Sequence, residues 1–147
     1  MKKIICIVAW ILLAACSSQS PQSPEQRVKD TLASIELAVE ERSLSDIMQH
    51  VSSNYRDHEG RSIQDIKRTA QVYLIGNQKI HIFTRINSIE IIDKLASVEL
   101  SAAMAGTEAA LASEEERLRA DTHRFSLVFA LEDDDWRLTS ASWQRGW

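Results

Sequence analysis

The chain is poor in the residues that mark special architectures. It has 4 glycines and 2 prolines among 147 residues, which excludes a collagen-like, low-complexity or largely disordered protein. Two cysteines, Cys6 and Cys16, exclude a disulfide-rich scaffold and a four-cysteine zinc site. A net charge of -4 argues against a nucleic-acid partner, which rewards a basic face. No glycine-rich phosphate loop and no nucleophile elbow occur. The histidines and acids show no metal-ligand spacing, so no metal and no cofactor is expected. Long apolar runs are missing except at the very start, and no later segment is apolar enough to span a bilayer. The chain as a whole, 44% hydrophobic and 26% charged, has the composition of one ordinary domain.

The start is different. Lys2 and Lys3 precede an unbroken apolar run of ten, Ile4 to Leu13. As a helix at ~1.5 Å per residue it reaches about 15 Å, half a bilayer core, which is a signal h-region and not a stable span. Leu13-Ala14-Ala15-Cys16 follows and resembles the lipobox of bacterial lipoproteins. The resemblance implies diacylation of the Cys16 thiol, cleavage before Cys16 and acylation of the new amine. Residues 1–15 would be a signal peptide and residues 16–23 a lipidated cysteine and polar tether. The fifteen residues removed carry two of the 17 basic and none of the 21 acidic side chains, so the 132-residue mature chain has 15 and 21, a net of -6. Cys6 leaves with the signal and Cys16 is blocked, so no internal disulfide can form. Two or more acyl chains anchor stably. Residues 17–23 hold no apolar side chain and extend at most about 23–25 Å. Ser17 stands where an aspartate signals inner-membrane retention in enterobacterial lipoproteins, so an outer-membrane location facing the periplasm is expected.

From residue 24 the pattern becomes helical. Ser23-Pro24-Glu25-Gln26 fits a capping box with proline at the first helical position. Val28, Leu32, Ile35 and Val39 make one stripe, predicting a helix over 24–42. Leu44, Ile47, Met48 and Val51 share a face of a short second helix, capped by Ser43 or Ser45. Residues 55–60 are polar and turn-like. Ser62 caps a third helix with Asp65 in its first turn and a stripe of Ile63, Ile66, Ala70, Tyr73 and Leu74; Gly76-Asn77 stops it. The period then changes to two. Ile80, Ile82, Thr84 and Ile86 alternate, and so do Ile89 and Ile91, with a parity slip between them that predicts a β-bulge. Val98 to Met104 and Phe125 to Leu131 alternate in two further strands. Asp133-Asp134-Asp135 turns into a fourth, through Trp136 to Trp143. Residues 107–120 are expected to be a loop with a short helical turn. The fold class is therefore α+β: three N-terminal helices packed on a curved antiparallel sheet of about four long strands, curling around the first and third helices.

This order of elements is similar to the nuclear transport factor two-like (SnoaL-like) superfamily, a cystatin-like cone. Asp-Asp-Trp136-Arg137-Leu138 and Trp143 look like the acidic turn and final hairpin common there. Tyr55-Arg-Asp57-His-Glu-Gly60, then Tyr73 to Ile86 and Met104 to Thr107, resembles an uncharacterised subgroup of bacterial envelope proteins. The resemblance covers about residues 24–147 and implies a ligand-sized cone between helices and sheet. It implies no single function, because the superfamily hosts enzymes, binding modules and assembly factors.

Two readings follow. The first is a non-enzymatic, outer-membrane-anchored binding or accessory module for an envelope protein partner or a small apolar ligand. The second is a small periplasmic isomerase- or hydrolase-type enzyme with its site in the cone. In ketosteroid isomerase-like members of the superfamily a desolvated acid and a tyrosine or second acid do the chemistry; here Asp57 with Tyr55 or Tyr73 is the compact candidate. Asp57 reads first as a turn-organising or helix-capping acceptor. His81 and His123 share parity with Phe83 and Phe125, and would line one face if their strands were adjacent. Tyr73, Phe83, Phe125, Phe129, Trp136 and Trp143 form either a pocket wall or simply the core. Trp147, at the terminus, reads either as a contact for a partner or lipid headgroups or as a packed or frayed end.

Overall fold

A computed structural model describes residues 21–106 and 122–145. The expected signal and lipid-attachment segment, the 107–120 loop and Trp147 lie outside these residues. The order is α1 (Pro24–Glu40), α2 (Leu44–Gln49), α3 (Ile63–Gly76), then β1 (Ile80–Ile92), β2 (Leu95–Gly106), β3 (Thr122–Glu132) and β4 (Asp135–Arg145). The four strands form one antiparallel sheet in the order β1-β2-β3-β4. Among the described residues no helix is long and apolar enough to cross a membrane.

Local chemistry explains the helix limits. The Ser23 hydroxyl accepts from the Gln26 amide at 3.1 Å. The Gln26 side chain turns to Asp30 at 2.9 Å instead of back to the cap, so half of the expected box forms. α1 ends at Glu40 rather than 42, because Arg42 takes a left-handed φ of 59°. Ser43 N–H then donates to Ala38 and Arg42 N–H to Val39, which is a Schellman closure. At α3 the box is complete, with Asp65 accepting from the Ser62 amide at 2.9 Å and its hydroxyl at 2.7 Å. Asn77 is extended past the helix end, and its side chain donates to the Tyr73 carbonyl at 2.9 Å.

The sheet carries two bulges. In β1, Ile86 pairs with Leu100 and Ser88 with Glu99, leaving Asn87 extra. That keeps Ile80, Ile82, Thr84, Ile86, Ile89 and Ile91 on one face. In β4, Phe129 pairs with Leu138 and Val128 with Ser140, leaving Thr139 extra. Strand parity alone would set Trp136 and Trp143 on opposite faces. The Thr139 bulge turns both, with Leu138 and Ala141, toward the helices.

Three apolar clusters fill the space on that face. Val28, Leu32 and Ile35 of α1 lie on Ala96, Val98, Leu100, Phe129 and Trp136. Ala38, Ile47, Leu74 and Ile80 join the ends of α1, α2, α3 and β1, with Tyr73 against them. Val51, Tyr55 and Ala141 form the third, with Ile63 and Ile66 of α3 packed on it. The segment after α2 is stitched to the outer edge of β4: Leu138 N–H donates to His50 and Ser52 N–H to Leu138. Across the molecule Glu40 accepts from the Ile82 amide at 3.0 Å and Glu36 from the Thr84 hydroxyl, which ties α1 to the β1 edge.

Candidate functional site

The sequence-predicted residues fall into separate places. Val28, Ala96, Val98 and Phe129 are fully buried and Trp136 is 3% exposed, so Phe129 and Trp136 belong to the packed centre of the sheet face. Tyr73 sits in the cluster by Ile80, away from Asp57, so the alternative Asp57–Tyr73 pair does not form. His81 and Phe83 alternate with the inward Ile80, Ile82 and Thr84. They lie on the outer face, with Phe83 53% exposed and the His81 side chain beside Glu40 at 3.9 Å. β1 and β3 are separated by β2, and His123 pairs across from the buried Ala102. The two histidines therefore occupy opposite faces. The reason is topological: parity with a phenylalanine says nothing about which face the strand buries.

The remaining residues do converge, where β3 begins and β4 ends. Tyr55 is 2% exposed, and its hydroxyl donates to Asp57 Oδ2 at 3.5 Å. The Asp57 side chain is fully buried and takes the Arg61 Nε at 2.6 Å. It also accepts from the backbone N–H groups of Glu59 and Arg61 at 3.0 and 2.9 Å. Gly60, with φ of 78°, makes the tight return that lets one carboxylate reach both amides. The Arg61 guanidinium then lies over the Trp143 ring, 4.2 Å from its centroid. Phe125 stands 6.4 Å from Trp143 and His123 6.2 Å from Phe125, both tilted. Trp143 is 37% exposed. The outcome is a rim of aromatic rings backed by a buried ion pair.

The electrostatics follow from these contacts. Burial, then the Asp57 charge, pushes the Tyr55 phenol up to about 12, so it is a fixed hydrogen-bond donor at neutral pH. Burial pulls the Asp57 carboxyl upward, but the Arg61 side-chain and backbone hydrogen bonds outweigh it and hold the group below its ordinary range. Arg61 is raised, chiefly by its hydrogen bond to Asp57. A carboxylate stabilised in this way is a weak base. Its four donors fix the 57–61 turn ahead of α3. Among the described residues no group of three or more His, Cys, Asp or Glu is placed to hold a metal.

Arg61 did not stand out in the sequence. The signal was its place four residues after Asp57 with glycine between, a spacing that lets one turn bring both charges together. Its stacking on Trp143 had no sequence signal, since the two meet only through the sheet.

No family model and no curated protein matches this chain. Solved structures do. Bd1075 of Bdellovibrio bacteriovorus superposes with a TM-score of 0.69 at 9% identity, covering 83% of this chain and 40% of that one. This chain therefore spans less than half the length of that protein. A domain of unknown function with a cystatin-like fold from Nostoc punctiforme PCC 73102 gives 0.67 at 12% identity, over 84% of this chain and 77% of that one. A Streptomyces avermitilis protein, provisionally described as a dehydratase from the nuclear transport factor two-like family, gives 0.68 at 12% identity, over 85% and 99%. At these identities the likeness shows the fold: a cystatin-like, nuclear transport factor two-like α+β cone.

Proposed function

We propose that this cone is a non-enzymatic binding or accessory module, carried on the periplasmic face of the outer membrane by lipid on Cys16. The observation that carries the binding part is the state of Asp57. The acid best placed for chemistry is held charged by Arg61 and two backbone amides, and the adjacent Tyr55 phenol is held protonated. Both groups serve the architecture. The partly exposed Trp143, with Phe125 and His123 behind it, offers an aromatic contact for a protein partner or a small apolar ligand. The anchoring part rests on the Leu13 to Cys16 box and the polar tether after it. A Shewanella frigidimarina protein of similar fold, provisionally described as a ketosteroid isomerase, keeps a small periplasmic isomerase- or hydrolase-type enzyme as the second reading, and Tyr55–Asp57 is where it would act.

Two measurements test this. Cys16→Ser in the native envelope should give an unprocessed or released chain by membrane fractionation and intact mass. A mature species of unchanged mass and membrane association would overturn the anchoring. Titration of the Asp57 carboxyl by NMR should place it at or below the ordinary ~3.9. A value above about 6 would mark a desolvated general base and reverse the order of the two readings.

A further inference from the structure

We propose that the tip of the β1–β2 hairpin, Ile92 and Leu95 with Lys94 between them, is a membrane contact that seats the domain on a bilayer of zwitterionic, ammonium-bearing lipid. The inference rests on the proposed anchoring at Cys16 and adds an orientation to it: which end of the cone meets the membrane.

Three segments mark one end of the molecule. α1 starts there, and its Arg27 guanidinium donates to the Asp134 carbonyl in the β3–β4 turn. The Leu131 N–H donates to the Lys94 carbonyl at 2.9 Å, which sets the β1–β2 turn beside the end of β3. The tether therefore enters α1 on the same side as both turns. Residues 17–23 extend at most about 23–25 Å, so lipid on Cys16 would hold this end within that distance of the bilayer.

The tip is apolar on this side. Ile92 and Leu95 are paired directly across the hairpin. Their neighbours Ile91 and Ala96 join the core, so strand alternation turns Ile92 and Leu95 to the outer face, where they are 63% and 53% exposed. Single exposed leucines are ordinary, but a facing pair at the end of a hairpin makes one projecting apolar surface. Val72 and Ile75 of α3 are as exposed, at 66% and 71%, yet they sit at the other end. There Arg42, just past α1, donates to the Leu74 carbonyl at 2.8 Å, and α1 separates that point from Ser23 by about 25 Å at ~1.5 Å per residue. Of the two pairs, the hairpin's shares the end that carries the tether.

Charge selects the lipid. Asp93, Asp133 and Asp134 are exposed beside the tip, and so is Lys94. A surface of anionic headgroups would be repelled by the three acids over the ~8–10 Å across which exposed charges act. An ethanolamine headgroup offers an ammonium to the acids. Its phosphate answers Lys94, whose stem can lie along the apolar pair. Two side chains alone would hold a bilayer weakly, but the tether makes the contact intramolecular, so a weak contact suffices to orient the domain. The Trp143 rim, at the opposite end of β4, then points away from the membrane.

The test uses the full chain with isotope-labelled isoleucine methyls, purified from membranes with its lipid and placed in nanodiscs of phosphatidylethanolamine and phosphatidylcholine. A neutral, water-soluble gadolinium chelate should erase the methyl signal of Ile75 and spare that of Ile92. Replacing phosphatidylethanolamine by phosphatidylglycerol should expose Ile92 to the chelate as well, and so should Leu95→Asp at its exposed position. The orientation is overturned if Ile92 fades with Ile75 in the first discs, or if its protection survives either change. An intact mass without acyl chains, or a chain that does not co-elute with the discs, overturns the anchoring itself and this inference with it.

Discussion

Arg61 lies with its guanidinium 4.2 Å above the ring of Trp143 while its Nε holds the buried Asp57 carboxylate at 2.6 Å. One side chain thus joins the turn before α3 to the last strand. Arg61→Ala should destabilise the domain toward the low end of the ~3–5 kcal/mol seen when one partner of a buried pair is removed, because two backbone amides still serve Asp57. Trp143 emission should shift to the red as the cation leaves its face. Urea unfolding and fluorescence check both. Arg61→Lys should recover only part of the loss, since an ammonium cannot present the flat fork that stacks and donates together.

Trp136→Ala should cost about 3–5 kcal/mol, as large aromatic truncations in cores do. The ring is 3% exposed and packed with α1 and the centre of the sheet. A change below ~1 kcal/mol in urea unfolding would place it among surface substitutions and contradict the packing.

The Thr139 bulge offers a sharper experiment. Deleting Thr139 shifts the rest of β4 by one residue and turns Ala141 and Trp143 to the outer face. The loss should exceed about 4 kcal/mol, in the range reserved for gross repacking, and acrylamide should reach Trp143 freely. Thr139→Ala keeps the chain length and removes one hydroxyl bond to the Val128 carbonyl, 3.0 Å long. It should cost only about 0.5–1.5 kcal/mol.

Stability should fall with acid in two steps. Burial holds His50 below its ordinary value of 6.5, so just below that pH the unfolded chain binds a proton that the native chain does not. Stability contributed by His50 is therefore present above 6.5 and is lost as pH falls toward the folded value. Asp57 is depressed because the Arg61 hydrogen bonds outweigh its burial, and Asp65 is depressed first by its bonds to Ser62. Their contribution is present above the ordinary 3.8 and is lost as pH falls through their lower folded values. Urea midpoints measured from about pH 8 to about pH 2 should show both steps, and His50→Gln should remove the upper one alone.

Much of the fold could be read directly. The Val28–Leu32–Ile35 stripe, the Ser62–Asp65 box and the change of period after Asn77 are local, because helix faces and strand faces are written within a few residues. The first bulge was legible for the same reason: the isoleucine parity slips between Ile86 and Ile89, and the extra residue is Asn87. The second was not. Leu138 and Ala141 are too few inward residues to show a slip at Thr139, and the tryptophans alone left their faces open.

The candidate site divides along the same line. The sequence by itself determined the helix–sheet architecture and brought Asp57 and Arg61 within one turn of each other, since both depend on neighbours in the chain. Tertiary structure alone decided that Tyr55 rather than Tyr73 meets Asp57, that His81 and Phe83 face outward, and that Arg61 rests on Trp143. Each of these depends on which strand lies beside which and on a one-residue register. Periodicity gives the spacing of a face, and only the packed sheet settles what that face meets.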